Sequence, residues 1–566
     1  MAEDLVIRGG TIVDGSGAPG YVADLAVSDG RITAIGPNLP PGREEIEASG
    51  RLVTPGFVDI HTHYDGQAVW DSHLAPSAIH GVTTAAMGNC GVGFAPVHPG
   101  QEMQLIELME GVEDIPAPVL SQGLDFTWES FAEYLAVLDG KPRDIDICAL
   151  VPHAAVRVYV MGERALALEP ANQADIAAMR QIVTEAVQAG AFGFSTSRTI
   201  SHKTLKGDPT PTLRAQEDEL TGIALGLKAI GAGFLEVVSD FNLPDAATEF
   251  AMLRRVAEAC GRPMVFSLTA RHDRTEVWRE LLALSNKAAA EGVNMRPVFP
   301  PRPIGILMGL LGSQNPFSGA PSYKAIAQLP VPERVAAMRD PETRARILAE
   351  DRISGSNFPL ITRLSFERMF PFGDPPDYAP HRETSVAAEA ARQGRSPEEV
   401  AYDMLLANDG QNFLFCPLTN YADFTLDASA ELLRHPNTIV GLSDGGAHVG
   451  FISDGSFPTF LLSYWGKQRG LPIEELIRRQ TSDTARAACL TDRGLLRVGM
   501  RADINIIDLE ALALDRPGML YDLPAGGRRL MQRARGYEAT IVAGAVTYRH
   551  GEATGALPGK LVRCAA

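Results

Sequence analysis

The chain has 566 residues, with 69 acidic against 51 basic side chains and a formal charge of -18. Hydrophobic residues make up 45% and charged residues 21%, a globular composition that excludes a mainly disordered chain. The acidic balance is wrong for a phosphate-tracking surface, so neither nucleic acid nor an anionic membrane is expected as a partner, and solubility is the plain reading of the charge.

The chain opens MAEDLVIRGG, without the apolar run of a signal peptide, and its longest apolar stretches fall short of the ~20 residues of a membrane span. Six cysteines, at 90, 148, 260, 416, 489 and 564, form no CxxC pair. That pattern suits a reducing, cytoplasmic compartment rather than a disulfide scaffold.

Residues 5–8, 11–13 and 31–35 are short apolar runs bounded by Gly-Gly and Asp-Gly pairs, and they predict hairpins. Residues 502–507 and 539–542 have the same texture. A β-sandwich domain assembled from both ends, 1–54 and 481–566, is therefore expected. The middle alternates differently. Apolar residues at helical period predict helices over 174–188, 218–230, 246–260 and 275–291, each followed by glycine and a short strand. Further strands are predicted at 56–60, 82–86, 145–151 and 438–442, which makes eight. Eight βα units spanning 55–480 predict an α/β fold, a (β/α)8 TIM-type barrel with its chemistry at the C-terminal strand ends. A doubly wound open sheet is the alternative, and residues 413–415 are a possible ninth strand. Residues 299–400 break the rhythm, with many of the 39 prolines, and predict an insertion over the barrel mouth.

The candidate chemistry sits just past the predicted strands. His61-Thr62-His63 follows the first, and residues two apart in an extended segment face the same way, so both imidazoles can grip one metal ion. Gly88-Asn89-Cys90-Gly91 follows the second, where a thiolate can join them. Ser443-Asp444-Gly445-Gly446 follows the eighth, where a carboxylate can bind metal and move protons. Taken singly, these are also a surface pair, a core cysteine and a turn. Three ligand types at three strand ends argue for a metal centre.

These residues carry a resemblance. The run Pro55-Gly56-Phe57-Val58-Asp59-Ile60-His61-Thr62-His63, the split β-domain, Asp444 and the late Gly499-Met500-Arg501-Ala502-Asp503 resemble the amidohydrolase superfamily. Gly88-Asn89-Cys90-Gly91, Pro152-His153 with Arg157, and residues 189–195 narrow this to the N-acyl-D-amino-acid deacylase (D-aminoacylase) branch. The resemblance implies a zinc-dependent hydrolase of amide bonds. Its metal ligands would be His61, His63, Cys90 and Asp444, and Asp444 would also be the proton shuttle.

The chain departs from that pattern in two places. The branch places one histidine after strand five and another after strand six for a second metal; here residues 234–240 hold no histidine, Leu268 stands where the other is expected, and strand four offers Ser195 and Ser197 rather than a lysine. One zinc per chain is therefore expected, with Glu236 and His272 as the available substitutes for a second site. The branch also places a carboxylate-binding arginine soon after the catalytic aspartate, where this chain reads Phe451-Ile452-Ser453-Asp454-Gly455-Ser456-Phe457. The expected substrate is therefore either a neutral or masked amide, or one whose acid is held elsewhere, with Arg198 as the candidate anchor, since guanidinium forks suit carboxylates. His448, His153 and Glu236 complete the candidate substrate-binding set. The expected partner is a small-molecule amide, with a homo-oligomer possible. A cyclic-amide hydrolase, a deaminase or a non-catalytic scaffold on the same fold are the alternatives.

Overall fold

A computed structural model describes residues 2–242, 244–354, 364–451 and 454–564. Eight strands run parallel in the middle of the chain. They are β1 (Phe57–Asp59), β2 (Val82–Met87), β3 (Asp146–Ala149, resuming after Leu150 as Val151–Pro152), β4 (Gly193–Arg198), β5 (Phe234–Ser239), β6 (Met264–Ser267), β7 (Met295–Phe299) and β8 (Ile439–Val440). Each pairs in parallel with the next. The order returns on itself. Thr62 bridges Gly445 in parallel, the His63 amide donates to the Gly445 carbonyl at 2.8 Å, and the Asp444 amide donates to the His61 carbonyl at 3.2 Å. This is the connectivity expected of a (β/α)8 barrel.

Between these strands lie α1 (Glu102–Glu113), α2 (Gln173–Gln188), α3 (Glu217–Ile230), α4 (Ala246–Cys260) and α5 (Val277–Ala290), the last four close to their predicted spans. Each of these four buries one apolar stripe, such as Ile176, Met179, Val183 and Val187 of α2. The sequence suggests the fourth strand at 191–194, whereas it starts two residues later and runs on to Arg198. The reason is that the Ala191 amide still closes the end of α2 on the Ala186 carbonyl.

Where two facing layers are expected from the terminal segments, hydrogen bonds join nine strands into one continuous sheet. Residues Leu52–Pro55 pair with Leu5–Ile12 on one side and Ile504–Ile507 on the other, so the two ends of the chain meet edge to edge. Leu5, Ile7, Leu25, Val53, Ile504 and Ile541 form its core. The helix Ser482–Ala487 packs instead on β1 and β8.

The segment between β7 and β8 carries a module of its own. Strands Ile304–Gly309, Phe370–Phe372 and Phe413–Thr419 form an antiparallel sheet, with Phe413–Thr419 in its centre. The apolar run at 413–415 is therefore a strand, but of this sheet and not of the parallel set. A separate core that includes Ile306, Met308, Tyr402 and Leu414 supports the module.

Candidate metal centre and active site

The loop after β2 is shaped by its glycines. A Cβ on Gly88 would lie 2.3 Å from the Leu150 carbonyl oxygen, and one on Gly91 would lie 2.9 Å from the Ser197 amide. Both have positive φ, and so does Cys90 itself, at 56°. Asn89 holds the turn by donating to the carbonyls of Thr62 (3.1 Å) and Ala86 (2.9 Å). The result is a buried thiol aimed at the end of β1, with Cys90 Sγ 3.4 Å from His61 Nε2. One ligand atom from each of His61, His63 and Cys90 lies within 4.8 Å of the others.

The loop after β8 brings the carboxylate. Asp444 Oδ1 lies 3.4 Å from His61 Nε2 and 3.7 Å from His63 Nε2. Asp444 has φ 49°, and the loop is anchored by the Ser443 hydroxyl, which donates to Asp59. Asp59 also accepts from the His61 amide at 3.2 Å, so one buried carboxylate ties β1 to the loop after β8. Burial pushes Asp59 up to about 7.

Electrostatics favour a cation here. Burial drives His61 and His63 down to about 3, which keeps both imidazoles neutral and their lone pairs free for a metal. Burial, and then neighbouring carboxylates, push the Cys90 thiol and Glu113 well above their ordinary values, and burial raises Glu236 to about 8. The donor set of two imidazoles, a thiol and a carboxylate fits zinc.

A cavity of about 530 Å³ opens over this cluster. His61, His63, Cys90, Asp444 and His448 line it, as do Glu113 and His202, which the sequence reading passes over. Glu113 ends α1, far from any strand end, and its one sequence signal is a charge on the stripe of Ile106 and Met109. His202 lies four residues past the true end of β4, and the predicted strand ends too early to point to it.

The other candidates are placed as follows. Glu236 is behind the cluster, where its Oε2 accepts from the Cys90 amide at 3.0 Å and its Oε1 lies 3.8 Å from His61 Nδ1. His272 lines the cavity and contacts the Pro417 carbonyl at 3.1 Å. Arg198 and His153 are not brought to the cavity. Arg198 is buried and holds Glu249 at 2.8 Å, so its guanidinium is committed to an ion pair. His153 is buried between Thr196 (2.8 Å) and Glu219 (3.0 Å), and Arg157 shares Glu219 at 2.8 Å, which makes the set a packing cluster outside the cavity. Ile452, Ser453 and the side chain of Asp454, in the stretch lacking the expected arginine, lie outside the described residues.

Three other arginines reach the cavity. Arg271 is paired with Asp240 (3.0 Å) and Asp273 (2.9 Å). Arg274 is held by the carbonyls of Asp240 and Phe241, both at 2.9 Å. Arg368, from the module between β7 and β8, donates to the carbonyls of Tyr421 (2.8 Å) and Ala422 and sits 4.4 Å over the Phe424 ring. Among the described residues, neither Arg274 nor Arg368 has a carboxylate partner.

Residues 44–548 match the model of the amidohydrolase family. The chain is 28% identical over 511 residues to an N-acyl-D-aspartate deacylase of Alcaligenes xylosoxydans xylosoxydans, covering 89% of this chain and 86% of the relative. It is 34% identical over 229 residues to a D-aminoacylase of the same organism, covering 40% and 43%. Among solved structures, a D-aminoacylase described as having a binuclear metal centre superposes with a TM-score of 0.67 at 22% identity, over 99% of this chain and 100% of that one. An N-acyl-D-glutamate deacylase from Bordetella bronchiseptica, complexed with zinc and a phosphonate inhibitor, gives 0.66 at 25%, over all of both chains. The chain belongs to the amidohydrolase family, in its D-aminoacylase-like branch, and is a metal-dependent hydrolase of carbon–nitrogen amide bonds.

Proposed function

We propose that this enzyme hydrolyses N-acylated D-amino acids with one zinc ion, held by His61, His63, Cys90 and Asp444 at the mouth of a (β/α)8 barrel. The observation that carries the reading is the convergence of two neutral imidazoles, a thiol and a carboxylate, from the ends of β1, β2 and β8, on the floor of one cavity. When bound, the metal would acidify a water to a pKa of about 7 and polarise the amide carbonyl.

The chain's own groups do the rest. Asp444 faces both the cluster and the cavity, where it takes the proton of the attacking water and gives it to the leaving nitrogen. That delivery is essential, because an unprotonated amine anion is a very poor leaving group. His61 and His63 are buried and neutral, which suits ligation and leaves Asp444 as the base. Among the described residues, Arg368 and Arg274 line the cavity without a carboxylate partner and so suit the substrate's acid group, the role expected of Arg198. His448 forms the wall beside Asp444. The names of the relatives support an N-acyl-D-amino acid, and zinc in the deacylase complex supports that metal.

The test is a substrate panel assayed for both products. N-acetyl-D-amino acids are expected to give acetate and the free amino acid faster than their L forms, with activity lost to a chelator and restored by zinc. Release of ammonia alone would point to a deaminase. A single ring-opened product from a cyclic amide would point to a cyclic-amide hydrolase. Either result, without acetate, contradicts the proposal.

A further inference from the structure

Two polar atoms face each other inside the cluster without a hydrogen bond. Among the described residues, His63 Nδ1 and Glu113 Oε1 are both buried and without a hydrogen-bond partner, and they lie 3.4 Å apart. Glu113 Oε2 lies 3.6 Å from His448 Nε2. We propose that Glu113 is a positioning residue of the metal centre, whose carboxyl oxygen accepts a hydrogen bond from His63 Nδ1–H and thereby aims His63 Nε2 at the metal. The proposal rests on the metal reading above.

His63 Nε2 is the nitrogen that faces Asp444, so ligation through it requires the proton on Nδ1. A buried N–H left without an acceptor is destabilising. His63 is 1% exposed and Glu113 2% exposed, so bulk water does not supply that acceptor. Glu113 also sits in a fixed frame. Its carbonyl accepts from the His448 amide at 2.5 Å, and the next residue, Asp114, accepts from the Gly450 amide at 3.1 Å. The C-terminal end of α1 is thus tied to the loop that carries Asp444. One connection, between β2 and β3, supplies both the candidate ligand Cys90 and the group that orients His63. Carboxylates that hold a ligating histidine typically account for 10–100-fold in metal affinity.

The experiment is zinc affinity by competition with a chromophoric chelator, on the full chain. Glu113→Leu removes the acceptor, and about a 10–100-fold loss of affinity is expected. Glu113→Gln keeps an acceptor oxygen of the same reach and should retain most of the wild-type affinity. Glu113→Met, apolar and of similar length, takes the place of the leucine variant if that one does not fold. Ring ¹⁵N spectra of the unsubstituted protein, with His63 assigned by its own substitution, should show the Nδ1–H tautomer. Undiminished affinity in the apolar variants, an equal loss in the glutamine variant, or an Nε2–H tautomer of His63 would overturn the proposal. A wild type that takes up no zinc would overturn the metal reading itself, and this inference with it.

Discussion

Cys90 and Asp444 both hold a left-handed backbone conformation, which aspartate tolerates and cysteine rarely adopts, and both face His61. Such strain persists where the surroundings over-determine it, as here, where Asn89 and Ser443 fix the two turns. Asp444 is the only one of the four proposed ligands that can hold a metal and still act as a base. Asp444→Asn keeps the shape and an oxygen but removes the base. A fall in kcat of ~10²–10⁴-fold is expected, with KM changed much less and zinc partly retained. Steady-state kinetics with metal content on the same sample check this. A variant that keeps its zinc and most of its turnover would make His448 the next candidate base.

At this scale the sequence was informative where chemistry follows a strand directly. His61, His63, Cys90 and Asp444 all lie within a few residues of a predicted strand end, so their convergence follows from the parallel strand order. Glu113 comes from far along a connection, and no local spacing says where a connection returns, whereas His202 follows a strand that runs on past its predicted end. Arg198 illustrates the converse. It is at a strand end, but Glu249 of α4 had already claimed its charge, and a pairing 51 residues away in sequence leaves no local mark.

Among the elements, the module between β7 and β8 is the one that carries the proposed carboxylate anchor. It has its own sheet and core, and it delivers Arg368 to a cavity whose other walls come from the parallel strands and their loops. Arg368 is fixed by backbone carbonyls and an aromatic face rather than by an acid. Its burial lowers its pKa, so its charge lacks full solvation and gains from an anionic partner. Arg368→Met is expected to raise KM for an N-acyl amino acid by roughly 10–100-fold, the range set by about 1.5–3 kcal/mol for a hydrogen bond to a charged group. Zinc content should not change, and amides that lack the carboxylate should be hydrolysed as before. An unchanged KM would shift the anchor to Arg274. The sequence signalled this module only through its prolines and its broken period. It could not show that the strand at Phe413–Thr419 belongs there, because a short apolar run fits a parallel or an antiparallel partner equally well.

Across the whole molecule, the terminal sheet is locked to the parallel strands by a buried ion network. Arg493 donates to Asp146 at 2.7 Å and to Thr84 at 2.8 Å, while Arg501 reaches Asp146 at 2.9 Å and Asp503 at 3.1 Å. Asp146 opens β3, at the strand end opposite the cavity, where side chains serve stability. The late run Gly499-Met500-Arg501-Ala502-Asp503 therefore acts as a clasp and not as part of the site. Arg493→Met leaves two buried carboxylates with one guanidinium, and about 3–5 kcal/mol of stability should be lost. Urea unfolding checks this, and turnover per bound zinc in the folded variant should stay at the wild-type level. A stability matching the wild type would show that packing, not the ion network, joins the two parts. The β-rich texture of both ends was legible beforehand, but their meeting edge to edge through Leu52–Pro55 was not, since pairing between distant strands leaves no trace in local pattern.

One metal, held where β1, β2 and β8 converge, is proposed to suffice for hydrolysis. The most direct measurement returns zinc in steps to the chelated enzyme and follows bound zinc and acetate release on the same sample. Activity is expected to rise with the first equivalent and to level off at about one zinc per chain, as one four-donor set requires. Activity that appears only with a second equivalent, or that never depends on zinc, would contradict it.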